Sequence, residues 1–242
     1  DTYYPDKPVV PFIKVTQDRV VLEIMRGCIR GCRFCQAGQL YRPVRERDVE
    51  FLKKYAIAML ENTGHEEISL SSLSSSDYQK LPELIDFLIE ECSRRKVNIS
   101  LPSLRIDAFS LDVMNKVQDV KKSSLTFAPE AGSQRLRNVI NKGLTEEVIL
   151  QGAKLAFEGG WTRVKLYFML GIPFETEKDI RGIAELCNKI AAEFYDTVPK
   201  EKRNGRVQIV ASTSFFIPKP FTPFQWAPQC RKEDFLNKAY LT

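Results

Sequence analysis

Apolar positions along the chain alternate between two rhythms. Residues 19–25, RVVLEIM, are β-branched and apolar and predict a strand. Residues 48–62 carry Val49, Leu52, Tyr55, Ala56, Met59 and Leu60 on one helical stripe, which Gly64 closes. Residues 67–73 predict a second strand. Residues 81–95 predict a helix with Pro82 in its first turn and the stripe Leu84, Ile85, Leu88, Ile89, Cys92. The pattern then repeats: strand at 97–101, short helix at 111–120, strand at 124–128, helix at 145–158 started by Thr145 and stopped by Gly159-Gly160. Strand 163–170, a long helix at 177–195 and strand 206–214 complete it.

Such βα alternation predicts an α/β fold with a parallel sheet and outer helices. Six units fit an incomplete TIM-like (βα)6 barrel better than a doubly wound sheet. The unusual residues fall just after predicted strands, where βα loops build a site, and no glycine-rich dinucleotide fingerprint follows the first strand. The expected layout is an irregular, proline-containing lead over 1–18, a core barrel over 19–217 and a C-terminal extension over 218–242 that lies on the core. With no initiator Met, the chain is expected to be a piece of something longer.

Composition adds little. In 242 residues, 43% are hydrophobic and 28% charged, ordinary for a globular protein. No apolar run is long enough to span a bilayer, and no signal-peptide pattern opens the chain. The net charge of +5 permits an anionic partner without demanding one. Arg26, Arg30, Arg33, Arg42, Arg45 and Arg47 cluster about one motif, either as surface ion-pair partners or as a positive rim for an anionic cofactor or substrate. Cys92 and Cys187 fall in helical patterns and read as small buried residues, and Cys230 stands alone. The six cysteines form no disulfide framework, so a reducing compartment, the cytoplasm, is expected.

The motif is Cys28-x3-Cys32-x2-Cys35, three soft thiolates within eight residues directly after the first strand. A loop this short can wrap a compact iron–sulfur cluster, with Gly27 and Gly31 letting the backbone turn closely and Phe34 shielding one side. No fourth thiolate is near, and His65 is the chain's one histidine. A structural zinc site wants four ligands, whereas a three-cysteine cluster leaves one iron open. A non-catalytic iron–sulfur or electron-transfer module and a three-cysteine zinc-binding interaction domain remain the rival readings.

The segment RGCIRGCRFC resembles the signature loop of the radical S-adenosylmethionine superfamily. The resemblance implies a [4Fe–4S] cluster on Cys28, Cys32 and Cys35 whose open iron chelates S-adenosylmethionine (SAM). It further implies that one electron cleaves SAM to methionine and a 5′-deoxyadenosyl radical acting on an unidentified substrate. A reductant such as flavodoxin or ferredoxin follows from the same chemistry. GCRFCQAGQLYRPVRER, SLSSLSSSDY, LPSLRIDAF, FAPEAGSQRLRNVINKG, YFMLGIPFET and FFIPKPFTPFQW look like one subfamily. Its longer members carry an N-terminal cobalamin-binding-type domain. Cobalamin, and with it methyl transfer, is therefore implied only through a domain absent from this chain.

Carried over by position, the resemblance gives further cofactor-binding candidates. Ser71, Ser72 and Ser74 offer acceptors for the SAM amino group, or else form a serine-rich turn. Glu130, after the fourth strand, suits an amino group or a ribose hydroxyl, or else a helix N-terminus, and Gly132 beside it allows close approach. Arg105 and Arg135 are candidates for the SAM carboxylate, or structural ion-pair partners. Ile172, in the loop after the fifth strand, is the candidate for the adenine, with Glu175 as a loop brace. The PFTPFQW stretch reads either as a wall of the site or as core aromatics. RNA or another anionic macromolecule stays open as the substrate, although no RNA-recognition module is present.

Overall fold

The computed structural model describes residues 4–100, 106, 125–203 and 205–242. The expected helix at 111–120 and Arg105 lie outside the described residues. The chain divides into two compact units, residues 1–28 with 43–122 and residues 29–42 with 123–242.

The first unit opens with strand β1 (Val20–Glu23). The expected strand does not run straight on to Met25. Ile24 donates its N–H to the Ser71 carbonyl at 3.0 Å and accepts from Arg47 N–H at 3.0 Å. The chain there turns out of β1 into a short antiparallel ribbon of β2 (Met25–Arg26); its partner, β3 (Arg45–Glu46), returns after a single-turn helix α1 (Ala37–Leu40) that belongs to the second unit. Helix α2 (Val49–Thr63) starts at Asp48, whose side chain accepts from Phe51 N–H, and ends at left-handed Gly64. Strand β4 (Glu67–Ser71), helix α3 (Leu81–Arg95) and strand β5 (Asn98–Ser100) follow. The strands pair in parallel in the order β1-β4-β5. Leu22, Ile68 and Leu70 of the sheet and Leu52, Leu84, Ile85 and Leu88 of the helices are wholly buried and form one core.

In the second unit β6 (Leu125–Glu130) runs two residues further than expected, with an irregular register between Phe127 and Glu130 where Pro129 removes a donor. Helix α4 (Gln134–Val139), too short to show as a stripe in the sequence, is capped by the Ser133 hydroxyl accepting from Leu136 N–H. Helix α5 (Glu146–Glu158) starts at Thr145 as expected. Strand β7 (Arg163–Leu170), helix α6 (Glu177–Thr197) and strand β8 (Gln208–Phe215) complete a parallel sheet ordered β6-β7-β8. Val164, Leu166, Phe168 and Leu170 are wholly buried, the strict alternation of a strand with one covered face. Helix α7 (Lys232–Tyr240) closes the chain and stacks Phe235 on Phe215 at 4.1 Å.

One close approach ties this unit together. A Cβ built on Gly132 would stand 2.2 Å from Ile183 N and 2.4 Å from Gly182 C. The glycine after β6 is thus spent on packing against α6 rather than on admitting a ligand. No described helix is long and apolar enough to cross a membrane.

Candidate functional site

The three cysteines lie between β2 and α1. Cys28 ends the first unit, and Cys32 and Cys35 belong to the second. None of the six cysteines is in a disulfide. Burial pushes the thiols of buried Cys92 and half-buried Cys187 up to about 11.

Within the second unit the loop is held by its backbone. Arg33 N–H donates to the Ile140 carbonyl at 2.9 Å, Asn141 Nδ2 donates to the Gly31 carbonyl at 2.9 Å, and Cys35 N–H closes a turn on the Cys32 carbonyl at 3.1 Å. Arg33 Nη1 reaches the Val139 carbonyl at 2.6 Å, a cation at the C-terminal end of α4. Arg42 donates to the carbonyls of Gly38 at 2.7 Å and Arg30 at 3.1 Å. Arg26 and Arg47 both donate to Glu23, at 2.8 and 3.1 Å. Four of the six clustered arginines therefore brace the chain around the motif. Phe34 packs against the buried cluster formed by Ala131, Leu136, Ile140, Ile172, Phe216 and Phe224.

Among the described residues no three His, Cys, Asp or Glu side chains stand together as a metal-holding group. Donor chemistry and a braced loop, rather than converged thiols, are what fit an iron–sulfur cluster here. His65 does not join them: its Nδ1 lies 3.4 Å from Asp18 Oδ1.

The serines sit at the carboxyl end of β4. Ser71 is its last residue, and Ser72 shares a hydrogen bond with Ser75 at 2.9 Å. Ser74 is 2% exposed and its hydroxyl has no hydrogen-bond partner. A buried hydroxyl left unsatisfied is unusual in folded proteins.

Glu130 ends β6 with a left-handed backbone, φ 70°, rare for a side chain of this kind. Its carboxylate accepts from Lys142 Nζ at 3.1 Å. Lys142 Nζ also stands 6.0 Å from the centre of the Phe34 ring. Arg135 grips Asp179 and donates to the Phe174 carbonyl at 2.7 Å, so its guanidinium is engaged within the protein. Ile172 is 3% exposed, with its side chain in the same apolar cluster as Phe34. Glu175 accepts from Gly171 N–H at 2.9 Å and Lys238 Nζ at 2.7 Å, a brace across the loop after β7. In the PFTPFQW stretch Phe224 is buried, whereas Phe221 and Trp226 are exposed.

Two residues that sequence reasoning did not single out matter here. Arg137 is completely buried and donates to the carbonyls of Ala131, Gly132 and Leu144 at 3.1, 2.8 and 3.1 Å, tying α4 to the end of β6. Burial pulls its pKa down, against the opposing effect of the Glu146 and Glu147 charges. Asn141 holds Gly31 from 110 positions away, a contact that no local sequence signal marks.

The model of the Radical SAM superfamily matches residues 22–187. An uncharacterized protein of Methanocaldococcus jannaschii is 40% identical over 205 residues, which is 85% of this chain and 42% of that protein. The chain spans less than half the length of the curated relatives it matches. Among solved structures, the radical SAM methyltransferase TsrM from Kitasatospora setae, with cobalamin and a [4Fe–4S] cluster bound, aligns with a TM-score of 0.62 at 13% identity, over 85% of this chain and 36% of that one. The cobalamin-dependent SAM radical enzyme OxsB aligns with a TM-score of 0.62 at 15% identity, over 86% of this chain and 35% of that one. At these identities the likeness shows the fold, an α/β fold of the incomplete TIM-like barrel type with parallel sheets and outer helices. With the family model covering most of its length, this chain belongs to the radical SAM superfamily of enzymes.

Proposed function

We propose that this chain is a catalytic core that binds one [4Fe–4S] cluster and SAM and initiates radical chemistry. The observation that carries the reading is the Cys28-x3-Cys32-x2-Cys35 loop, which lies between β2 and α1 and inside the residues matched by the family. Bound together, the two cofactors would supply a 5′-deoxyadenosyl radical by one-electron cleavage of SAM.

The chain's own residues do the holding. Cys28, Cys32 and Cys35 ligate iron as thiolates. Ser74, with its unpartnered hydroxyl, accepts from the SAM amino group, and Ser71 and Ser72 flank it. Glu130 presents a carboxylate at the end of β6, while Phe34 and Ile172 contribute an apolar wall that keeps water out. Arg105 stays a proposed partner for the SAM carboxylate. Arg135 is better read as a brace, given its grip on Asp179.

The reaction proposed is methyl transfer to an unassigned substrate, in line with the printed description of TsrM as a methyltransferase. Cobalamin would then come from a domain outside these 242 residues. Residues 19–217 are proposed as the core and 218–242 as an extension packed on it, working in the cytoplasm with a flavodoxin- or ferredoxin-type reductant. The test is electron paramagnetic resonance of the anaerobically reconstituted, reduced protein. SAM should perturb the cluster signal; an unperturbed signal would favour an electron-transfer module, and bound zinc without iron a zinc domain.

A further inference from the structure

Within the loop from Cys28 to Cys35, Cys35 N–H closes a turn on the Cys32 carbonyl. The grip on it comes from the segment that leaves α4. Asn141 Nδ2 holds the carbonyl just before Cys32, and the Ile140 carbonyl holds the N–H just after it. Both peptides flanking Cys32 are thus fixed by two consecutive residues. Asn141 is itself set by a left-handed backbone, φ 53°, and by its N–H donating to the Asn138 carbonyl at 3.1 Å. Asn is one of the few residues other than glycine that accepts this conformation readily. Behind it, Lys142 N–H donates to the Arg137 carbonyl at 3.0 Å, and Arg137 is anchored to the end of β6.

The space is matched to this grip. A Cβ on Gly31 would come 3.0 Å from Asn141 Nδ2, tighter than ordinary contact, so the glycine is what lets the carboxamide sit over the peptide. Phe34, two residues past Cys32, packs against the apolar cluster that contains Ile140.

The geometry points to Asn141 as a positioning residue for the iron–sulfur cluster, acting through the peptide between Gly31 and Cys32; this rests on the proposed cluster at the three cysteines. A carboxamide that orients a ligand's main chain acts as outer-shell partners do at metal centres, where losing one costs about tenfold or more in metal affinity. The link also explains why the ligand loop is bound to the segment after β6. Glu130 at the end of that strand pairs with Lys142, so the carboxylate proposed for the cofactor is tied to the residue next to Asn141.

The experiment compares anaerobically reconstituted wild type with Asn141→Gly, which keeps the left-handed backbone free of strain and removes only the donor. Iron release to a chelator is followed together with the electron paramagnetic resonance spectrum of the reduced cluster. The expected result is about tenfold faster iron loss and an altered spectrum. Asn141→Asp, of nearly the same shape, should bind iron weakly too and shift the cluster's midpoint potential downward, because it adds negative charge and cannot donate. Gly31→Ala should cost iron retention in wild type and much less in the Asn141→Gly background, where its steric partner is gone. Wild-type retention and spectrum in both Asn141 variants, or equal cost of Gly31→Ala in both backgrounds, would overturn the assignment. A wild-type protein that takes up no cluster would instead overturn the function proposed above, so the two failures are distinct.

Discussion

The guanidinium of Arg135 holds the carboxylate of Asp179 at both oxygens, with Nε 3.3 Å from Oδ1 and Nη2 on Oδ2. Asp179 also accepts from the Ser133 hydroxyl and from the N–H and hydroxyl of Thr176, at 2.8 and 2.6 Å. One buried carboxylate therefore joins the start of α4 to the start of α6.

This network makes stability depend on acid. Burial by itself raises the Asp179 pKa, but hydrogen bonds from Arg135, Ser133 and Thr176 outweigh it and hold the carboxyl well below the usual range. A depressed native pKa means the stabilisation is present above the unfolded value of about 3.9 and is lost as pH falls further toward the native value. Urea midpoints should thus drop between about pH 4 and pH 2, and Asp179→Asn should flatten that part of the profile. An unchanged acid limb in the variant would show that other carboxylates set it.

If Arg135 serves this carboxylate rather than SAM, its role separates by measurement. Arg135→Gln should lower the melting temperature and leave the dissociation constant for SAM within about twofold of wild type. A rise of about tenfold or more, as loss of a charge-assisted contact would give, would return Arg135 to the cofactor site.

Gly132 and Gly182 meet backbone to backbone, and substitution should be unequal. A Cβ on Gly132 would overlap α6 at 2.2 Å, while one on Gly182 would stand 3.3 Å from Gly132. Gly132→Ala should cost about 3 kcal/mol or more, or prevent folding, whereas Gly182→Ala should cost about 1 kcal/mol. Thermal unfolding of the two variants checks the order.

Ser74 should show opposite signs in two assays. Its buried hydroxyl lacks a partner, so Ser74→Ala should leave stability unchanged or raise it by about 1 kcal/mol. The same change should weaken SAM binding several-fold if the hydroxyl accepts from the amino group. Unfolding midpoints and equilibrium dialysis with SAM distinguish this from a turn residue with no ligand.

What the sequence made legible was periodic or local. The alternation of Val164, Leu166, Phe168 and Leu170, the stripe of α3 and the cap at Thr145 each follow from spacing alone. The cysteine loop was equally plain, because its chemistry lies in eight consecutive residues. Contacts between distant segments left no such trace. Nothing local to Asn141 shows that it reaches Gly31, and nothing near Gly132 shows that it meets Gly182. Arg137 reads as a surface residue because arginine is rarely buried; carbonyls just past β6 and just before α5 make its burial tolerable. The arginines around the motif left two readings open in the sequence, ion-paired side chains or a positive rim. In the structure Arg33 and Arg42 spend donors on main-chain carbonyls, contacts between segments that spacing alone does not show.

The most direct measurement is anaerobic reconstitution with iron and sulfide, followed by dithionite and SAM, on wild type and on the Cys28→Ala, Cys32→Ala, Cys35→Ala triple variant. The account predicts about four irons and four sulfides per wild-type chain, formation of 5′-deoxyadenosine, and neither in the variant. A triple variant that kept its iron and still cleaved SAM would contradict it.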